Sequence, residues 1–203
     1  MEVPIAIGIE AHVCEAEELI FDGTENLTER PKDYNEQKEK YSGKQSTHTD
    51  LTLVLSDKRT WIYYASKYYD GKNVVPIAIG IGVFKQEFPP EYPWFKNFKV
   101  LVVPIAIGIG FVGIDKLYEI KKLVIGEKKP RKSKNNPTPK FTEEQKIKNT
   151  KVSKERIFVE HAIGKMKRYR ILKNRCRIKC SVTKNRIVGI AAGLWNYQLL
   201  LNN

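Results

Sequence analysis

The sequence predicts a mixed α/β domain, and three observations carry that reading. Short apolar runs of strand character recur through the first 125 residues, at 18–22, 51–55, 60–65, 98–102 and 118–125. A helical pattern then runs from about Thr142 to Leu172, and a second, strongly apolar one from Ile187 to Leu201. The chain has 203 residues, 41% of them hydrophobic, which suffices for one domain with a real core. Strands and a hairpin followed by long helices give a sheet with helices to cover it.

Each element has a local reason. Glu18-Leu19-Ile20-Phe21-Asp22 runs into Asp22-Gly23, a dipeptide that favours tight turns, so the first strand is expected to end there. Residues 28–47 are polar, hold Pro31 and Gly43, and read as loop. Leu51-Thr52-Leu53-Val54-Leu55 and Thr60-Trp61-Ile62-Tyr63-Tyr64-Ala65 are strands of a hairpin, joined by Ser56-Asp57-Lys58-Arg59. Residues 83–97 place Pro89, Pro90 and Pro93 among aromatics and read as ordered but irregular. Phe98-Lys99-Val100-Leu101-Val102 reads as a buried strand. Residues 126–141, with three prolines and many lysines, read as an exposed basic loop. Thr142-Glu143-Glu144-Gln145 has the spacing of a capping box and opens the long helix.

Charge narrows the function. The chain carries +13, yet residues 121–186 hold 23 Lys and Arg against 5 Asp and Glu, a net of +18 that leaves −5 for the remainder. A basic second part points to a polyanion, and nucleic acid is the expected partner. No apolar run approaches the roughly 18 to 20 residues of a spanning helix, so no membrane role is expected. The start Met-Glu-Val-Pro lacks the basic region of a secretory signal. Three scattered cysteines make no disulfide framework, and a reduced cytoplasm is the expected location.

Val-Pro-Ile-Ala-Ile-Gly-Ile occurs three times, at 3–9, 75–81 and 103–109. The unequal offsets exclude a solenoid, and seven residues are too few to bury a face. The copies read as repeated DNA. Pro-Ile-Ala-Ile-Gly can be encoded by CCGATCGCGATCGG followed by any base, a palindrome. The hypothesis is a short palindromic element inserted three times in frame; unrelated codons in the three copies would sink it.

In the long helix, Val152, Val159, Ile163 and Met166 fall on one stripe, with Glu160 at its edge. Ser153, Arg156, Gly164, Lys167 and Ile171 lie within about 40° of Glu160 at helical spacing. A carboxylate thus borders the core between cations. A glycine inside a helix costs about 1 kcal/mol against alanine, which suggests that something must approach Glu160 closely. Lys165, Lys167, Arg168, Arg170, Lys173 and Arg175 continue as a basic track suited to DNA phosphates. Smaller signals are weaker. Cys176 and Cys180 lack two further zinc ligands at suitable spacing and read as free thiols. Tyr63, Tyr64, Tyr68, Tyr69, Trp94 and Phe95 suit a core better than base stacking.

Several segments resemble a known family. Phe-Asp-Gly-Thr-Glu at 21–25, Arg-Pro-Lys-Asp at 30–33, Lys-Glu-Lys-Tyr-Ser-Gly-Lys at 38–44 with His48, Gly-Phe-Val-Gly at 110–113, and above all Val-Glu-His-Ala-Ile-Gly-Lys-Met-Lys-Arg-Tyr-Arg-Ile-Leu at 159–172 resemble the DDE-superfamily transposases of bacterial insertion sequences, in the group with Harbinger-like endonuclease domains. The resemblance implies an RNase H-like mixed sheet flanked by helices, over about residues 17–203 after a leader 1–16. It implies metal-dependent cleavage and strand transfer on double-stranded DNA, association with the nucleoid, and room for a homodimer. It makes Asp22 and Glu160 catalytic metal ligands for Mg²⁺ or Mn²⁺, in a family that uses two ions and three carboxylates. The middle aspartate, due between the strand ending at Val102 and Gly110-Phe111, is replaced by the repeat at 103–109; Asp115 lies past the motif. The copy at 75–81 likewise stands where the family carries a His-Asp pair, before the Gly-Val-Phe at 82–84. A helix-turn-helix region usual before the first aspartate is absent from this sequence. The expectation is therefore a damaged catalytic domain, with a non-catalytic basic DNA-binding protein or another metal-dependent nuclease as alternatives.

Overall fold

The computed structural model describes residues 16–74, 87–89, 91, 94–96, 98–102, 120–126 and 140–202. The three heptapeptide copies, Gly110-Phe111-Val112-Gly113, Asp115 and most of the basic loop lie outside the described residues. In chain order the elements are β1 (Glu18–Leu27), α1 (Tyr34–Lys40), β2 (Tyr41–Ser42), β3 (Thr47–Ser56), β4 (Ile62–Ala65), β5 (Tyr69–Asp70), a 3₁₀ turn (Gly71–Val74), β6 (Lys99–Val102), β7 (Lys122–Ile125), α2 (Glu143–Met166), α3 (Arg170–Lys173) and α4 (Ser181–Leu201).

They form one mixed sheet of order β2-β3-β1-β6-β7, with β4 and β5 also paired to β3. β1 and β3 are antiparallel, from Ile20 opposite Ser56 to Leu27 opposite Thr49. β6 joins β1 in parallel, and β7 joins β6 in parallel. The helices lie on one face: Ile20, Val54, Ile62 and Leu101 pack against Val152, Val159, Ala162 and Met166 of α2 and Val188, Ala191, Ala192 and Trp195 of α4. The other face packs Leu19, Phe21, Leu53, Leu55, Tyr63 and Val100 with Phe88 and Phe95. This α/β arrangement is compatible with an RNase H-like fold. Tyr63, Tyr64 and Phe95 are buried, so these aromatics belong to the core.

The structure corrects four boundaries. β1 runs five residues past Asp22, because β3 continues to pair with it through Leu27; the Asp22-Gly23 turn does not form. The supposed loop 28–47 holds α1, capped by Asp33 accepting from the Glu36 amide, and then β2 and the start of β3. α2 has its capping box, Thr142 with Gln145, but ends at Met166 rather than Leu172. Tyr169 is extended there and starts the short α3. α4 begins at Ser181, six residues before the apolar run that marked it.

The lengthening of β1 has a consequence for the interior. Beyond Ile20 and Val54, the helix-facing positions of the two central strands are polar and buried: Asp22, Thr24 and Asn26 on β1, with Thr28 just past its end, and Thr52 and Asp50 on β3. Buried polar groups need partners. Asn26 donates to Thr52 at 3.3 Å. Asp50 accepts from Lys184 of α4 at 2.6 Å and from Lys40 of α1 at 2.8 Å, and Lys40 also reaches Asp70 at 2.9 Å. These ion pairs tie α4 and α1 to β3. Breaking a buried pair leaves an uncompensated charge. Lys184→Met is predicted to cost about 3 kcal/mol, towards the low end for such pairs because Lys40 stays. The urea midpoint reads it, and Asp50→Asn added to the same protein should recover part of the loss.

Candidate active site

Among the described residues, β6 pairs with β1 from Glu18 to Phe21, and Val102 is in register with Phe21. From Glu25 on, that edge of β1 meets other partners. The Glu25 carbonyl accepts from Lys167 Nζ at 2.6 Å. The Leu27 carbonyl accepts from the Cys176 amide at 2.8 Å, and the Glu29 amide donates to the Cys176 carbonyl at 3.1 Å. By the alternation of a strand, the Gly23 amide points to the same edge. It donates to Asp22 Oδ1 at 2.7 Å. The carboxylate of Asp22 is thereby bent toward the edge of β1 on which β6 lies.

α2 lies across this point. Its buried residues Val152, Val159, Ala162 and Met166 seat it on the sheet, which leaves Arg156 and Glu160, one turn apart, at the border of that contact. Arg156 Nη2 lies 2.8 Å from Glu160 Oε1, and its Nε lies 3.8 Å from Asp22 Oδ2. One guanidinium thus bridges two carboxylates from elements far apart in the chain. The Asp22 side chain is 5% exposed and that of Glu160 49%. Nε of Arg156 is buried and makes no hydrogen bond. The sequence reading brought Arg156 near Glu160 but gave it no link to Asp22; its four-residue spacing from Glu160 was the available signal.

Burial pushes the Asp22 carboxyl from 3.8 up to about 6. The Gly23 amide and the Arg156 charge oppose that rise, and the negative charge of Glu160 adds to it. Two hard oxygen donors of like charge, held to one cation, are suitable chemistry for a divalent ion such as Mg²⁺. Among the described residues, no group of three or more His, Cys, Asp and Glu is placed to hold a metal.

A Cβ added to Gly164 would meet nothing within 4 Å. The protein's own packing therefore does not demand this glycine, and the space beside it is open. Of the basic track, Lys165, Arg168, Arg170, Lys173 and Arg175 are exposed. Lys165 lies 5.3 Å from the Trp195 ring centre. Lys167 is turned inward to the β1 edge, and burial lowers its pKa to about 8. The track continues through Arg177 and Lys179 into a cleft of about 830 Å³ that also includes Arg30, Lys32 and Lys40. The loop assignment of 28–47 hid the last three. His48 sits on β3 against Tyr41, six residues along the strand from Val54, the partner of Asp22.

The raised pKa of Asp22 gives a signed prediction. The native state binds the proton more tightly than the unfolded chain does, so stability falls as pH rises from about 4 to about 6 and stays lowered above that. In metal-free buffer, Asp22→Asn should be more stable than the parent by roughly 2–3 kcal/mol at pH 7. The difference should vanish near pH 4. Thermal unfolding across this range checks it.

Two comparisons with known proteins find relatives of the chain. A family described as DDE superfamily endonuclease matches residues 106–196, a span that includes Glu160 and the basic track. The chain is also 31% identical over 191 residues to a probable transposase for insertion sequence element IS702 from Microchaete diplosiphon, covering 90% of this chain and 58% of that protein. The chain thus spans under two thirds of that relative's length. No solved structure matches it. No described helix is long and apolar enough to cross a membrane. With a sheet and helices compatible with the RNase H-like fold, these likenesses make the chain similar to DDE-superfamily endonucleases and to a transposase of an insertion sequence.

Proposed function

We propose that the chain is the DNA-cutting and DNA-joining part of an insertion-sequence transposase, damaged at its second carboxylate. The observation that carries this reading is the pair Asp22 and Glu160 on one guanidinium, one residue past the pairing of Phe21 with Val102. DDE-superfamily endonucleases generally use divalent metals. Mg²⁺ or Mn²⁺ bound here would activate an attacking oxygen and steady the leaving one. Asp22 and Glu160 would hold it, with Arg156 giving up its place between them. Asp22 is preset by the Gly23 amide, and Glu160 by the seating of α2. The exposed cations Lys165, Arg168, Arg170, Lys173 and Arg175 take the phosphate backbone of double-stranded DNA, and Lys167 holds the β1 edge beside the carboxylates. A second copy of the chain is the other proposed partner, and the nucleoid its place of action.

The missing ligand has a position. β6 ends level with Phe21, and Asp22 is the next residue of β1. A carboxylate attached directly after Val102 would stand beside Asp22. In this sequence the repeat 103–109 follows Val102, and Asp115 lies further on. The exposure of the basic side chains also supports the second reading, a DNA-binding protein without catalysis.

One experiment separates the two. Replacing residues 103–109 by Asp-Leu restores the strand-aspartate order and shortens the chain by five residues. The parent should bind duplex DNA with log K falling by about 0.9 per log unit of salt for each phosphate neutralised, and nick plasmid DNA poorly or not at all. The repaired chain should gain Mg²⁺-dependent nicking that Asp22→Asn or Glu160→Gln removes. A repaired chain that folds and binds DNA but nicks none leaves only the binding reading. Parent nicking that Asp115→Ala abolishes would show that Asp115 replaces the lost ligand.

A further inference from the structure

α4 is apolar on two sides, and among the described residues only one of them is packed against the chain. The inner side packs Val188, Ala191, Ala192 and Trp195 against the sheet. Polar bonds fix its rotation. The Asn196 side chain accepts from the Ile62 amide at 2.9 Å and donates to the Ile62 carbonyl at 2.7 Å, and Trp195 Nε1 donates to the Thr60 carbonyl at 2.9 Å. The helix cannot turn to bury its other side without breaking all three. That other side carries Ile190, Leu194, Tyr197 and Leu201, which are 60%, 44%, 58% and 67% exposed. At 100° per residue the four fall within about 60° of one another. A helix apolar on all sides is ordinarily covered on all sides, and an exposed apolar patch marks a contact surface.

We infer that this stripe of α4 is the contact between two copies of the chain. The spacing of the four residues, 4-3-4, is that of a two-helix seam, in which each side chain enters a hole on a like helix. A two-fold axis needs a self-complementary patch, and such a stripe meets its own copy in that way. Charge favours the same occupant. Residues 121–186 carry a net +18, so the basic faces of two copies repel each other. The stretch from Ile187 to Leu201 has no Lys, Arg, Asp or Glu. It is where two such chains can approach without a charge penalty, whereas an acidic partner would find nothing there to hold. The basic track lies on α2, α3 and the segment after them, and pairing through α4 leaves it free for DNA. This deepens the proposed pairing of copies but rests on the stripe, not on the carboxylate site.

Sedimentation equilibrium of the full chain at tens of micromolar in 0.5 M salt tests it. The expected mass is about 47 kDa, twice the 23.4 kDa of one chain. Leu194→Glu, and separately Tyr197→Lys, should each return it to 23.4 kDa with the far-ultraviolet helix signal retained. Two substitutions at exposed positions guard against one that disturbs folding. A parent that sediments as a monomer, or a dimer that folded forms of both variants leave intact, overturns the inference. So does a stripe found occupied by a different protein that the variants release. DNA binding and nicking by the monomeric variants are scored separately, so failure here does not touch the reading of Asp22 and Glu160.

Discussion

A carboxylate buried beneath a helix obliges the fold to bring a cation to it. Asp22 faces α2 from the middle of β1, and among the described residues the cation paired with it is Arg156, at 3.8 Å. That contact is longer than a hydrogen bond and leaves the carboxyl with a pKa of about 6. Asp50, two turns of the pleat further on, shows the same need met in full, by Lys184 at 2.6 Å and Lys40 at 2.8 Å. The difference separates a carboxylate that holds elements together from one left under-compensated. Perturbed, partly satisfied groups of the second kind gather at functional sites.

The polar half of the helix-facing sheet follows from the same constraint. Ile20 and Val54 are the last apolar residues of the two central strands on that side. Past them the cover is made of side-chain bonds: Asn26 to Thr52, Lys184 to Thr28 and Asp50. Further along the β1 edge that β6 pairs with, Lys167 takes the Glu25 carbonyl and Cys176 the Leu27 carbonyl. The site therefore sits on a seam between an apolar core and a polar one. Asp22 is the first residue across that seam, which is why it is buried and poorly neutralised at once.

The sequence revealed the apolar half well. The hairpin of β3 and β4, the strand at 98–102, the capping box of α2 and the Glu160 flank are all written in apolar periodicity, and the structure has them. It concealed the polar half. β1 beyond Asp22 reads Gly-Thr-Glu-Asn-Leu, with no alternation of apolar residues, so the Asp-Gly dipeptide looked like a turn. Long-range pairing with β3 overrides that local signal. α1 was hidden for the same reason, since it buries none of its residues. The start of α4 was missed because Ser181 to Arg186 is mostly polar, although Lys184 of that turn is buried. Lys167, read as part of a DNA track, proved to be turned to the sheet edge, a placement that charge alone does not encode. Gly164, read as a sign of close approach, has open space around it.

The central claim is that Asp22 and Glu160 form one cation site, now filled by Arg156. Titration of the metal-free chain with Mn²⁺, followed by the loss of the free-ion resonance signal, tests it most directly. The account predicts about one weakly bound Mn²⁺ per chain, lost in both Asp22→Asn and Glu160→Gln and tightened in Arg156→Gln, where the competing guanidinium is gone. Mn²⁺ binding that is the same in the parent and in all three variants would contradict it.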